Sequence, residues 1–204
     1  MNKPPRRMWW VVAWSLILNA CSLTKPGPEV HHYTLELTPP EVTAGSAKAS
    51  LQVRPFSAAD PYVQDRIVYR RSPYQLDFYN SHRWASSPTE QVTDWTRRYL
   101  RGAGLFTTVS PTTEGPADFV LNGRVRQFDE VDHEQTWEAV SSVDFWLTHG
   151  TDRSPVWFRS YTASQQAEKR NPAALAEAMS RSLENILGRL LVDLAPIVAG
   201  QTAP

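Results

Sequence analysis

Apolar and polar positions alternate along much of the chain, with two helical stretches between. Tyr33, Leu35 and Leu37 alternate with Thr34 and Glu36 and predict a first strand. Ala49, Leu51 and Val53 predict a second, ended by Pro55. Residues 66–70 and 75–79 flank Ser72-Pro73 and predict a short hairpin. From Ser87 the period turns helical. Ser87 is placed as N-cap, Pro88 at the first helical position, and Glu90 completes a capping box. Val92, Trp95, Tyr99 and Leu100 recur on one face, and Gly102 and Gly104 stop the helix. Residues 105–109 predict a short strand. Three longer ones follow, marked by Phe119 to Val125, Trp137 to Leu147 and Val156 to Thr162 in steps of two. Their connections, 129–134 and 149–155, suit antiparallel hairpins. Asn171 and Pro172 open a last helix with a stripe of Leu175, Met179, Leu183, Ile186, Leu187, Leu190, Leu191 and Leu194, and Pro196 is expected to end it.

This order predicts an α+β fold: an antiparallel or mixed β-sheet with two helices packed on one face. It fits a single domain over 33–198 with a tail at 199–204, and no internal repeat is visible.

The N-terminus breaks the pattern. Residues 2–7 carry Lys3, Arg6 and Arg7 and no acid, residues 8–18 are an apolar run, and Asn19, Ala20 and Cys21 follow. That is the layout of a signal peptide over 1–20. A spanning helix needs roughly 20 apolar residues, which this run lacks. Leu18-Asn19-Ala20-Cys21 resembles a bacterial lipobox. The resemblance implies that Cys21 becomes the first mature residue and carries a diacylglycerol thioether and an N-acyl chain such as palmitate. Two or more chains hold a protein on a bilayer where one holds it only marginally. Ser22 does not resemble the aspartate of inner-membrane retention, which implies an outer-membrane address with the domain on the periplasmic face. Residues 21–32 then form a lipidated tether, polar and with Pro26 and Pro28, able to stand the domain off the membrane by about 36 Å when extended.

Charge narrows the partners. The chain holds 21 basic and 21 acidic residues. Without Lys3, Arg6 and Arg7, the part from Cys21 onward has 18 against 21, a net of −3. Nucleic acid calls for a basic face, so none is expected. One cysteine closes no intrachain disulfide. His31, His32, His82, His133 and His149 show no metal-helix spacing, and His31-His32 is read as solvated tether. No phosphate loop or nucleophile elbow occurs. Neither a metal, a cofactor nor a catalytic residue is expected. The acidic stretch 129–134 lacks the glycine and ligand spacing of a calcium loop and is read as a solvated hairpin end. The most unusual region interleaves arginine with aromatics from Tyr62 to Trp84. Arg66, Tyr69, Arg70, Arg83 and Trp84 are candidates for a partner contact, since these residue types anchor interfaces. Aromatics packed in a sheet with arginines stacked on them would give the same pattern.

Val53-Arg54-Pro55-Phe56, Tyr62, Asp65 to Arg70, Phe78-Tyr79, Arg83-Trp84-Ala85 with Pro88, and Gly104-Leu105-Phe106 with Val109 resemble the ABC-type transport auxiliary lipoprotein family, whose best-known members are PqiC-like outer-membrane lipoproteins. The likeness runs from about Tyr33 to Ala195, with a hairpin region at 129–155 that departs from it. It implies a non-enzymatic lipoprotein serving an MCE-domain lipid-transport system, with an ABC permease and ATPase in the inner membrane. Only the lipidated Cys21 carries over as a defined site. A homo-oligomer is open by analogy alone. The rivals are a lipoprotein that activates a cell-wall enzyme, a periplasmic hydrolase with a dispersed triad, and a domain that binds lipid itself.

Overall fold

The computed structural model describes residues 29–40, 49–111 and 117–200. Cys21 and the signal peptide lie outside the described residues. Nine strands form one mixed sheet: β1 His31–Tyr33, β2 Ser50–Val53, β3 Ser57–Ala58, β4 Arg66–Ser72, β5 Gln75–Trp84, β6 Thr108–Ser110, β7 Phe119–Asp132, β8 Trp137–His149 and β9 Pro155–Gln166. Helix α1 spans Pro88–Gly102 and α2 spans Pro172–Gly200.

Strand β7 is the hub. One edge pairs antiparallel with β8 along its whole length, and β8 in turn with β9. The other edge takes β2, β3 and β4 in succession, all parallel. β4 and β5 form the predicted hairpin, longer than expected, with Pro73-Tyr74 as its tip. β1 lies parallel on the outside of β5, and β6 parallel on β2.

Directly paired residues share a sheet face, so the register sorts the side chains. Ser141 of β8 hydrogen-bonds Ser182 of α2. By alternation Val143, Phe145 and Leu147 face the helices too, with their partners Val125, Gly123 and Leu121 of β7. Phe56 stands between α1 and this face: its N–H donates to Thr93 Oγ1 of α1, and its ring meets Phe145 edge-on at 5.6 Å. A Cβ on Gly123 would lie 2.9 Å from that ring, so glycine there admits the Phe56 side chain. Both helices therefore pack on one face, as expected. Leu175, Met179, Leu183, Ile186, Leu187, Leu190 and Leu194 are all buried.

The α1 cap forms as read. Ser87 Oγ accepts from the Glu90 N–H and the Ser87 N–H donates to Glu90 Oε2. The helix ends at Gly102, and Gly104 takes the left-handed conformation (φ 65°) that glycine adopts without strain. Asn171 Oδ1 caps α2 by accepting from the Ala174 N–H. Pro196 does not end that helix, which runs on to Gly200. Proline deletes one backbone donor, and burial of Val198 beyond it favours the continued turn.

Other expectations shift. The strand predicted over 33–37 is β1, two residues earlier, so His31 and His32 are paired sheet residues rather than tether. Its alternation is real, since Leu35 and Leu37 are buried, but this stretch joins no strand. The Leu35 N–H donates to Gln91 Oε1 of α1 at 2.9 Å, and the Glu36 N–H to Ser180 Oγ of α2 at 3.1 Å. Helix side chains do the work of a ladder. The strand predicted over 105–109 begins at Thr108, because Phe106 is already used as core filling ahead of it. The 129–134 connection is mostly strand, since β7 continues to Asp132.

Gln91→Ala would leave the buried Leu35 N–H without its acceptor. It is expected to lower unfolding free energy by about 1–3 kcal/mol, read in urea as a lower midpoint with unchanged slope. A change within about 0.5 kcal/mol would mean that this segment is not held by α1.

Candidate functional site

Where β7 passes β4, two consecutive acids turn to opposite faces. Asp129 pairs with Val68 of β4 and points away from the helices; Glu130 pairs with Tyr69 and points towards them. Each is about 1% exposed. The solvated hairpin end expected at these positions is thus corrected. A register shift between Val125 and Gln127 puts one extra residue into β7 and reverses the phase of the alternation. The apolar set followed up to Val125 continues inward as Phe128 and Glu130.

On the outer face Asp129 is fully occupied. Tyr62, carried in by a 3₁₀ turn at Asp60–Tyr62, donates its hydroxyl to Asp129 Oδ2 at 2.8 Å. Arg70 Nε donates to the same oxygen and Arg70 Nη2 to the Tyr62 hydroxyl, while Gln127 Nε2 holds Oδ1 at 2.8 Å. Burial, and then the Asp129 charge, push the Tyr62 phenol up to about 12, so it stays a donor at neutral pH.

On the helix side Glu130 Oε2 accepts from Tyr79 at 2.8 Å. Tyr79 packs edge-on against Tyr69 (5.2 Å), His82 (5.7 Å) and Trp137 (6.3 Å). Arg71 lies over Tyr69 and Arg170 over Trp137, and both arginines reach Asp132. Burial lifts Glu130 to about 7, and the Asp132 charge adds to it, against the pull of the Tyr79 hydroxyl, Arg170 and Arg71. Tyr79 is pushed up by burial and by the Glu130 charge.

At the end of β4 and β7 a cleft of about 560 Å³ opens between Tyr62, Arg70, Arg71, Pro73, Arg126 and His133. Arg126 is 3.4 Å from Asp144 and His133 is 3.2 Å from Glu138, so its charges are largely matched in pairs.

The five strip residues do not form one surface. Arg66 pairs with Arg83, and Arg66, Val68 and Arg70 alternate on the outer face. Arg66 lies 4.1 Å over the Phe78 ring, Arg83 Nη1 donates to Asp65 at 2.9 Å, and Arg70 holds Asp129. Tyr69 and Trp84 belong to the helix side. Trp84 is 1% exposed and packs on Phe128 at 5.3 Å, so it offers no surface to a partner. The three arginines stay accessible to different degrees, their side chains held by these contacts. Among the described residues no group of three His, Cys, Asp or Glu side chains is placed to hold a metal ion. Pattern reading named Tyr62 only as the start of the aromatic-arginine region and Asp129 and Glu130 only as part of a solvated acidic stretch, and did not join them. The aromatic-arginine interleaving was the signal for Tyr62 and Tyr79, which meet the two acids.

The family model described as ABC-type transport auxiliary lipoprotein component matches residues 33–190. Protein XCC0632 from Xanthomonas campestris, of the DUF330 family, has a crystal structure similar to this chain at TM-score 0.72 and 24% identity, over 84% of this chain and 97% of that one. A crystal structure of a protein described as uncharacterized matches at TM-score 0.67 and 16% identity, over 81% and 99%. At such identities the likeness shows the fold alone. No curated protein matches the chain significantly.

Glu130 predicts a pH dependence. Its folded value, about 7, is above its ordinary 4.5, so the fold prefers the protonated acid. That preference stabilises fully below 4.5 and is lost as pH rises through 7. Wild-type stability minus that of Glu130→Gln should fall by roughly 2 kcal/mol between about pH 5 and about pH 8. Urea unfolding at both pH values reads it, and a pH-independent difference would show that Glu130 stays ionised.

Proposed function

The chain belongs to the ABC-type transport auxiliary lipoprotein family, and from that premise we propose that it serves an MCE-type envelope transport system moving phospholipid or other hydrophobic compounds. In this reading it is non-enzymatic. Its Cys21 carries the diacylglycerol and N-acyl chains that hold it at the outer membrane, with the domain in the periplasm. The observation that carries the reading is the family match, which runs from the last residue of β1 into the last turns of α2. Among the described residues no helix is long and apolar enough to cross a membrane; the attachment proposed is the covalent lipid.

The outer face of the β4–β5 hairpin supports a docking role towards the MCE-domain protein. Arg66, Arg70 and Arg83 stand there on a rigid ladder, each braced by a neighbour. Arginine held in place gives directional donors at small entropic cost. Of these, Arg66 and Arg83 are the better test, because Arg70 also neutralises the buried Asp129.

The deciding experiment is affinity purification of the full-length lipoprotein from gently solubilised membranes, with mass spectrometry of what accompanies it. An MCE-domain protein or its permease is the expected recovery. Reproducible recovery of a cell-wall enzyme with no MCE component would replace transport by regulation of that enzyme. The double variant Arg66→Ala, Arg83→Ala should recover severalfold less MCE partner while unfolding as cooperatively as wild type. Unchanged recovery would move the contact elsewhere.

A further inference from the structure

The direction in which the chain enters β1 shows which end of the domain its N-terminal side faces. β1 runs parallel to β5, with His31 opposite His82 and Tyr33 opposite Trp84. Followed backwards from His31, the line of the chain points along β5 towards Gln75, which is towards the Pro73-Tyr74 tip of the hairpin. β7 is parallel to β4, so the β7–β8 turn lies at that same end. The β8–β9 turn lies at the opposite end, beyond the start of β7.

Lengths then decide how close the tip comes. Arg66 is level with Arg83, and Ser72 is level with Gln75. Six residues of β4 separate these levels, about 20 Å at 3.3 Å per residue, and the tip adds a few ångströms. Cys21 stands ten positions before His31, at most about 35 Å when taut. A fully extended tether along this line thus puts Cys21 only about 10–15 Å past the tip. Headgroups occupy roughly 5–7 Å of that. A tether shorter than its full reach leaves the tip able to touch the membrane.

The side chain waiting there suits an interface. Tyr74 is 98% exposed, packed against nothing, and stands between Pro73 and Gln75 with Arg71 close behind. An aromatic ring with a polar end settles at the headgroup boundary, where its body leaves water and its hydroxyl stays wet. Charge is not the attraction: Lys169 and Arg170 sit near this end, and so do Glu134 and Glu168. We infer that the Pro73-Tyr74 tip is a second membrane contact of this protein, seated in the headgroup layer of the bilayer that holds Cys21. The inference rests on the lipidation proposed above. It adds an orientation: the β4–β5 tip down on the membrane, the β8–β9 turn away from it and turned to the periplasm.

The chain's single cysteine makes the test direct, because the diacylglycerol thioether blocks its sulfur and any introduced cysteine is then the one free thiol. Tyr74→Cys and, at the far turn, Thr151→Cys are spin-labelled in the full-length acylated protein. The proteins are reconstituted in vesicles of phosphatidylethanolamine and phosphatidylglycerol. Mass spectrometry first establishes the acyl chains on Cys21. The label at 74 should lose severalfold in collision with a water-soluble nickel chelate and gain in collision with oxygen on reconstitution. The label at 151 should not change. A label at 74 as water-exposed in vesicles as in detergent-free solution of the unacylated domain would overturn the inference and leave the lipidated reading standing. So would a label at 74 that is protected only in native membranes carrying the transport assembly, since the tip would then dock protein. An unacylated Cys21 would overturn both readings, because the tether would lead to no bilayer.

Discussion

Strand β7 is hydrogen-bonded on both edges along most of its length, by β8 on one side and by β2, β3 and β4 in turn on the other. A strand in that position has no edge left for water, and its side chains are buried on both faces where helices cover one and the 3₁₀ turn covers part of the other. A polar residue buried in it must find a protein partner, since a buried unpaired charge costs several kcal/mol. Asp129 and Glu130 sit at that point. The rest of the region follows from satisfying them: Tyr62 and Arg70 reach in on the outer face, and Tyr79 on the inner one. The two acids are solved differently. Asp129 gathers a guanidinium and two neutral donors, while Glu130 gets one phenol and a low-dielectric surround, which favours its neutral form.

The N-terminal stretch after β1 is tied into the core. Leu35 and Leu37 are buried, and the backbone between them is held by one residue from each helix, Gln91 and Ser180. β1 adds a short parallel ladder on β5, with His31 stacked on His82 at 5.4 Å and the Tyr33 hydroxyl bonded to His82 Nδ1. Residues 31–37 are therefore fixed to the sheet edge and to both helices together.

The arginines of the hairpin are held by their neighbours. Each spends one direction on an internal partner, a ring, a carboxylate or both, and keeps some surface free. Such side chains lose little further freedom on binding, the usual cost of long cations at an interface. Trp84 belongs to the opposite economy: its ring fills the core against Phe128, and its indole N–H has no hydrogen-bond partner among the described residues.

Much of the architecture was legible because local chemistry repeats. The Ser87 capping box, the leucine stripe of α2, the Ser72-Pro73 reversal and the period-two runs at the start of β7 and in β8 and β9 are all decided by near neighbours in sequence, and they formed where read. The family-like segments around Arg66 and Arg83 were legible in the same way, and the family model matches across them. What the tertiary structure alone decided has a common cause: it depends on which distant residue supplies a partner. The parallel pairing of β2, β3 and β4 on β7 has no hairpin to announce it. Residues 34–37 alternate like a strand yet bond to two helices. The bulge near Arg126 reverses the alternation and so hides Glu130 among apolar neighbours, and Pro196 stays helical because Val198 finds a buried place. Sequence carries the period of a segment; only the packed chain assigns that period a face.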